Sequence, residues 1–225
     1  MGNYFVRTVR AKDGARINRE FGMAVFRGCF ADIFFVLVEE PQSWSKELLL
    51  DICGLDLHKG EVGKIEFKAA LFHTMQIMPP RLLTKSNFKM TDLLEEGVFM
   101  PDELAERRVR DKIDCLGENP AGDNSKCCFA RCSQLHLTTT AWFGGATAAF
   151  YPGVLKRIGE LLQCDYYVTF PGANEALIHP TDRVGLAEVY GGLHCWNEVD
   201  AFSGKVFRYC TVREELQEVE MYDWW

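Results

Sequence analysis

The sequence predicts an α+β fold with mixed, largely antiparallel sheet elements packed against amphipathic helices. Two observations predict it. Short runs rich in β-branched and aromatic residues are interspersed with segments of helical periodicity. The 225 residues are 48% hydrophobic and 25% charged, as in an ordinary globular domain. We therefore expect a single domain over residues 1–225, with a loop at 116–126 and an acidic, aromatic tail at 214–225.

The first half of the chain predicts strands at residues 4–10, 30–38 and 48–52. The run at 30–38 is nearly continuously apolar, which is typical of a strand covered on both faces. A helix is expected at 63–78, where Pro79 and Pro80 end it. This helix is apolar over much of its girth, so we expect it to be well buried. One stripe holds Ile65, Ala69, Phe72 and Gln76, and an adjoining stripe holds Phe67, Leu71, Thr74, Met75 and Met78. A second, charged helix at 101–112 is expected on the surface.

The second half of the chain gives clearer patterns. The predicted elements are a strand at 134–140, a helix beginning at Pro152, a strand at 166–170 with its antiparallel return at 176–179, a helix capped by Thr181 or Asp182, and a last strand at 206–210. In the helix after Pro152, the apolar residues Val154, Leu155, Ile158 and Leu162 form one stripe, which we expect to pack on the sheet. The turn between the two hairpin strands is placed at Pro171–Gly172.

Charge and apolar patterning exclude several classes of protein. A net charge of -7 disfavours nucleic acid as a partner, because the chain and the phosphate backbone repel each other. The longest apolar run, residues 33–38, is too short to cross a bilayer, and the start of the chain lacks the features of a signal peptide. Nine cysteines, an odd number, favour reduced thiols. We therefore expect a cytoplasmic protein that binds no membrane and uses no cofactor.

Several segments together resemble a bacterial family, domain of unknown function 5688. The residues that carry the resemblance are Phe143-Gly144-Gly145-Ala146, Tyr151-Pro152-Gly153-Val154-Leu155-Lys156, Phe30-Ala31-Asp32-Ile33-Phe34-Phe35, Met78-Pro79-Pro80-Arg81-Leu82-Leu83, Asp165-Tyr166-Tyr167-Val168, Asn174-Glu175-Ala176-Leu177-Ile178 and Val206-Phe207-Arg208-Tyr209. The resemblance covers most of the chain and is best after Gln134. It implies a bacterial, cytoplasmic setting and no mechanism, because the family has no established activity. The hairpin turn departs from the family pattern, which has serines where this chain has 170–173.

Candidate catalytic residues are Asp32, Glu175 and His179. A carboxylate within reach of a histidine can do acid–base work, which is the chemistry of a small hydrolase-like enzyme. Against this, Asp32 at the start of a strand is more often bonded to neighbouring polar groups, and Glu175 is expected in water at the tip of a hairpin. The chain contains no G-x-S-x-G nucleophile motif.

Candidate metal ligands are Cys115, Cys128, Cys132 and His136. Zinc prefers four thiolate or imidazole ligands, usually in two closely spaced pairs. Here the ligands are irregularly spaced, and Cys127 and Cys128 are adjacent, so their side chains diverge. The sequence therefore favours reduced thiols over a zinc-stabilised module.

Two further features suggest binding. Gly144 and Gly145 precede a helical segment, as in some phosphate sites, but no complete phosphate-binding motif surrounds them, so close packing of two elements is the simpler interpretation. Tyr222, Trp224 and Trp225 lie in the acidic tail, where they either dock on their own domain or contact a protein partner. The function expected from the sequence is a non-enzymatic binding or regulatory module. The alternatives are a hydrolase-like enzyme and a zinc-stabilised interaction module.

Overall fold

Two antiparallel sheets carry the fold in the computed structural model, which describes residues 4–10, 26–27, 32–39, 64–84, 132–141, 144–195 and 202–220. The strands are β1 (Tyr4–Arg10), β2 (Phe26–Arg27), β3 (Ile33–Glu39), β4 (Pro80–Thr84), β5 (Leu135–Thr139), β6 (Tyr166–Gly172), β7 (Glu175–Pro180), β8 (Val206–Cys210) and β9 (Glu215–Val219). The helices are α1 (Lys64–Ile77), α2 (Gly145–Ala148), α3 (Val154–Leu162) and α4 (Leu186–Cys195). The predicted α+β class is confirmed.

The smaller sheet has the strand order β1-β3-β2, and the larger has the order β4-β5-β7-β6-β8-β9. Every strand pair in both is antiparallel. The two sheets share one hydrophobic core, in which Phe150 lies between Phe35 of β3 and Phe170 of β6. The Phe150 ring centroid lies 4.9 Å from that of Phe35 and 5.7 Å from that of Phe170. Within the described ranges, no helix is long and apolar enough to span a bilayer.

Helix α3 packs on this core as its sequence predicts. Val154, Ile158 and Leu162 are buried, and Leu155 is half-buried. The polar residues between them face water, so the helix is amphipathic over its whole length. The hydroxyl of Tyr166, at the start of β6, donates to the backbone oxygen of Leu155 at 2.7 Å and fixes the helix against the sheet.

Helix α1 corrects the prediction about its burial. The stripe of Ala69, Phe72 and Gln76 faces water, and Phe72 is 41% exposed. The buried residues lie on the adjoining predicted stripe, which includes Leu71, Thr74 and Met78, so only one of the two stripes is buried. Thr74 decides the orientation, because its hydroxyl accepts a hydrogen bond from the β1 backbone and must therefore point inward. An apolar count alone could not distinguish the two faces.

The β6–β7 hairpin turns later than predicted. Pro171 and Gly172 belong to β6, and the turn lies at residues 173–174. The register of the hairpin shifts between Thr169 and Gly172, which adds residues to this strand. The neighbouring segment also holds the strand in place, since the backbone N–H of Phe202 donates to the Pro171 oxygen at 3.3 Å.

Two further predictions about the second half are corrected. Thr181 or Asp182 is predicted to cap the helix that is now α4, but this helix begins only at Leu186. The Thr181 hydroxyl donates to the backbone oxygen of Asp165 at 2.9 Å, and Asp182 accepts from the Cys164 thiol. Residues 206–210 were expected to form the last strand, and 214–225 a tail. Instead, β9 follows β8 and pairs with it along its whole length. The predicted strand at 48–52, helix at 101–112 and loop at 116–126 lie outside the described residues.

The outer edge of β1 is covered by two threonine hydroxyls. Thr74 of α1 accepts a hydrogen bond from the Val6 N–H at 2.7 Å, and Thr147 of α2 accepts one from the Thr8 N–H at 3.0 Å. The Thr74 hydroxyl also donates to the Ala70 oxygen at 2.7 Å, so the group is satisfied in both roles. Buried backbone donors of an edge strand need such partners.

Candidate functional site

Three of the predicted site residues meet on one face of the larger sheet. We call His136, Glu175 and His179 the histidine–glutamate cluster. His136 on β5 pairs with Leu177 on β7, and the other two members flank Leu177 at two residues on either side. Alternate residues of a strand share a face, so the three side chains point the same way. Such diagonal neighbours lie within reach of long side chains.

A short hydrogen bond joins His136 to Glu175. The distance between His136 Nδ1 and Glu175 Oε2 is 2.7 Å, and the two side chains are only 10% and 13% exposed. An ionised carboxylate can only accept, so Nδ1 carries the proton. The amide nitrogen of Gln134 lies 3.4 Å from the second ring nitrogen, Nε2, which suits an acceptor there. The expectation that Glu175 lies in water is therefore wrong.

His179 has a different environment in the same cluster. Its Nε2 lies 3.3 Å from the hydroxyl of Thr169, which is buried on β6. Burial, with a smaller contribution from the nearby His136, lowers the pKa of His179 to about 4. The ring is therefore neutral at ordinary pH and serves as a hydrogen-bonding group inside the sheet.

Gly145 positions the backbone that precedes Glu175. Its N–H donates to the Asn174 oxygen at 3.1 Å, and the next N–H, of Ala146, donates to the Ala173 oxygen at 3.3 Å. A Cβ atom at Gly145 would lie 2.4 Å from the Leu137 oxygen, so only glycine fits. The predicted close packing of this glycine segment is confirmed. These two amides already have carbonyl partners, which leaves them unsuited to hold a phosphate.

Asp32 has partners of its own. Ser203, in the segment before β8, donates its hydroxyl to Asp32 Oδ2 at 2.7 Å, while Oδ1 is buried and has no hydrogen bond. Lys205 is close enough for the Asp32 charge to contribute to raising the lysine pKa. No hydrogen bond among the described residues joins Asp32 to Glu175 or His179. Asp32 therefore does not belong to a shared site with these residues, and the histidine–glutamate cluster is the remaining candidate for an enzyme site.

The proposed zinc ligands are only partly described. Cys115 and Cys128 lie outside the described residues. Cys132 packs against the core, and its backbone oxygen accepts a hydrogen bond from Arg183, while His136 contacts Glu175. Within the part of the chain that the structure describes, no group of three or more His, Cys, Asp or Glu side chains is placed to hold a metal ion. The zinc-stabilised module stays a hypothesis.

Strand alternation could have revealed the cluster from the sequence. Leu177 and His179 occupy alternate positions of the predicted return strand, Glu175 directly before that strand continues the alternation, and His136 alternates with two leucines. The alternation puts Glu175, Leu177 and His179 on one face of β7, and puts His136 on the face of β5 opposite to Leu135 and Leu137. The sequence could not show that these two strands are neighbours, because the residues lie 39 positions apart.

The second candidate site is the outer edge of β9. This strand ends the larger sheet, and its residues Glu215, Gln217 and Glu218 are exposed, as is Glu220 directly after it. Among the described strands, β9 pairs with β8 alone. An exposed strand edge presents backbone N–H and C=O groups that can pair with another extended segment.

The opposite edge of the same sheet differs. β4 contains Leu82 and Leu83, which are each only 2% exposed, and it begins at a proline. In β9 the half-buried residues are Leu216 and Val219. The Tyr190 hydroxyl from α4 donates to the Val219 oxygen and so holds the end of β9 in place. The sheet therefore has one buried and one water-facing edge strand.

Comparison with known proteins adds no assignment, since no family model, curated protein or solved structure matches this chain. The resemblance to domain of unknown function 5688 therefore stays a prediction. Tyr222, Trp224 and Trp225 lie outside the described residues, and the prediction that they dock on this domain or on a partner also stays open.

Proposed function

We propose that this chain is a non-enzymatic protein-binding module that accepts an extended segment of its partner along β9. The single observation that carries the proposal is the position of β9, an exposed strand at the edge of a six-stranded sheet. Strand addition of this kind gains affinity from main-chain hydrogen bonds and specificity from alternate side chains. The edge needs no rearrangement of the core, because the sheet behind it is already paired.

The internal bonding of the polar candidates supports binding over catalysis. Glu175 is bonded to His136, His179 to Thr169, and Asp32 to Ser203. These contacts stabilise neighbouring strands and loops, which is a structural role for each group. Tyr222, Trp224 and Trp225 follow β9 in the sequence, so they are suited to extend the same surface.

The setting of the module is also a proposal. We place it in the bacterial cytoplasm, on the resemblance and on the cysteines. Cys132, Cys164 and Cys210 are free cysteines, and the Sγ of Cys164 lies 3.3 Å from Asp182 Oδ1, where a thiol would donate a hydrogen bond. Alkylation of the freshly isolated protein, followed by mass spectrometry, should label its cysteines without prior reduction. Protection of several cysteines until a reductant is added would contradict the cytoplasmic setting.

A peptide library tests the binding function. Random peptides displayed on phage would be selected on the wild-type chain and then counter-selected on an edge-blocked variant. Proline removes a backbone donor, and neighbouring residues of a strand direct their amides to opposite sides. Of Gln217→Pro and Glu218→Pro, one therefore blocks the outer edge and leaves the β8–β9 pairing in place. The variant that keeps the wild-type melting temperature is taken as the edge-blocked variant.

The expected result is a set of peptides that bind the wild-type chain and lose at least about tenfold in affinity on the edge-blocked variant. If both proline variants unfold, hydrogen exchange of the wild-type chain shows instead where the selected peptides bind. Selected peptides should slow exchange of the β9 amides. Peptides that bind both forms equally, protect amides elsewhere, or are not enriched at all would each overturn the proposal.

A second function rests on one specific observation, the 2.7 Å contact between His136 and Glu175. A carboxylate that orients a histidine is also the arrangement of many hydrolase sites. If the cluster is catalytic, the wild-type chain should hydrolyse members of a panel of model esters and phosphoesters. His136→Gln and Glu175→Gln should then abolish this activity, while His194→Gln on α4 should leave it unchanged. Equal rates in all variants would exclude the cluster as the source.

A further inference from the structure

We infer that the segment accepted by β9 is basic. This inference rests on the proposed function and names the chemical class of the partner. From Glu214 to Glu220 the chain carries the acidic residues Glu214, Glu215, Glu218 and Glu220 and no lysine or arginine. The whole chain has a net charge of -7, which attracts a basic partner over longer distances.

The carboxylates of this segment differ in their partners. Glu214 is bonded to Lys156 at 2.6 Å, and both oxygens of Glu218 accept hydrogen bonds from Lys205 at 2.7 Å. Glu215 accepts a hydrogen bond from the neutral amide of Gln217 at 3.1 Å, and Arg213 donates to the oxygen of the same amide at 3.3 Å. Glu215 and Glu220 are exposed, and neither lies within ion-pair distance of a cation among the described residues, although Arg213 and Lys205 are near enough to feel their charges. These two carboxylates are therefore suited to cations from a partner.

Their positions place one carboxylate on each face of the sheet. Glu215 is in register with Cys210 and shares its face with Gln217 and Val219. Leu216 and Glu218 point to the other face, and Glu220 continues that alternation. An added strand would meet an acid and an apolar residue on either face. It should therefore carry lysine or arginine together with β-branched residues, since opposite charges and apolar pairs across strands are stabilising.

A second copy of this chain fits the same edge poorly. Two β9 strands paired about a twofold axis would bring their acidic residues together, and like charges across neighbouring strands are destabilising. We therefore expect that two copies of the chain do not dimerise through β9. A dimer in sedimentation measurements that disappears in the edge-blocked variant would overturn the inference in favour of self-association.

Three synthetic peptides test the partner class. Each has nine residues of alternating valine and one other residue, which is lysine, glutamate or threonine. Binding would be measured by fluorescence anisotropy to the wild-type chain, to the edge-blocked variant, and to the double variant Glu215→Lys with Glu220→Lys. The matched control is Glu160→Lys with Glu188→Lys, which changes the net charge equally on exposed positions of α3 and α4.

The lysine peptide should bind the wild-type chain and the matched control at least about tenfold more tightly than the other two peptides. The β9 double variant should lose this preference and bind the glutamate peptide best. If the threonine peptide binds as tightly as the lysine peptide and the edge-blocked variant binds neither, the edge function stands and the basic class is wrong. If the lysine peptide binds all variants alike, both proposals fail. If no peptide binds, the basic class is overturned, while the phage selection decides the edge function separately.

Discussion

β1 and β9 are edge strands of the smaller and the larger sheet, but their surroundings differ. On β1, the amides of Val6 and Thr8 donate to threonine hydroxyls from two helices, and the neighbouring side chains are buried. On β9, the side chains of Glu215, Gln217 and Glu218 are exposed, and the Tyr190 hydroxyl donates to the backbone at the Val219 oxygen. Two amides of β1 are thus bonded to buried hydroxyls, whereas the side chains of β9 lie in water. The proposed strand addition rests on this contrast.

The largest expected effect comes from the helix that closes β1. Gly145→Ala introduces a Cβ atom 2.4 Å from a backbone oxygen that cannot move aside, so α2 should no longer seat against β5. We expect a loss of about 3 kcal/mol in the free energy of unfolding, measured by urea denaturation. Gly191→Ala on α4, where a Cβ meets nothing within 4 Å, should instead be neutral or stabilise by about 0.5–1 kcal/mol. Equal effects would show that α2 is not tightly seated.

The next largest effect concerns the pH dependence of stability and the buried His179 on β7. The folded chain keeps the pKa of His179 at about 4, below the ordinary 6.5, so folding disfavours the protonated ring. Stability from this group is complete above pH 6.5 and is lost as the pH falls towards 4, by about 3 kcal/mol in total. His179→Gln should reduce this decline relative to wild type and to the exposed-site control His194→Gln. If stability depends on pH in the same way in all three proteins, the His179 side chain is open to water.

A smaller effect should follow from removing the hydroxyls that cover β1. Thr74→Val and Thr147→Val keep the side-chain shape but leave the Val6 or Thr8 amide without its acceptor. Each substitution should lower the free energy of unfolding, measured by chemical denaturation, by about 1–3 kcal/mol, because a buried donor is then unsatisfied. Thr140→Val is the matched control, since this half-buried threonine has no such role in covering β1. If Thr140→Val lowers the free energy of unfolding as much as the other two substitutions, the loss is a general effect of replacing threonine and does not come from the hydrogen bonds to β1.

The smallest effect is expected on β9. Glu215→Ala and Gln217→Ala should each change the free energy of unfolding by less than about 0.5 kcal/mol, because both side chains are exposed. The same denaturation measurement applies. A cost similar to that of Thr74→Val would remove the contrast between the edges and, with it, the structural basis for docking at β9.

Local patterns predicted much of the fold. Residues 4–10 and 134–140, together with the stripe of α3, have periodicities strong enough to define their elements. β9 was missed because Leu216 and Val219 are three residues apart, so the segment does not alternate, and its acids resemble those of a tail. On α1 the apolar pattern covers two adjoining stripes, and the sequence could not show that only the one with Leu71 and Thr74 is buried.

The sequence by itself determined the α+β class and the helix that packs on the sheet. Each depends on residues close together in the chain, whose preferences add up locally. The tertiary structure alone decided that His136 meets Glu175, that Thr74 and Thr147 close β1, and that β9 ends the larger sheet. These contacts join residues far apart in sequence. Their partners are fixed only when strand order and register are set by the packing of the whole core.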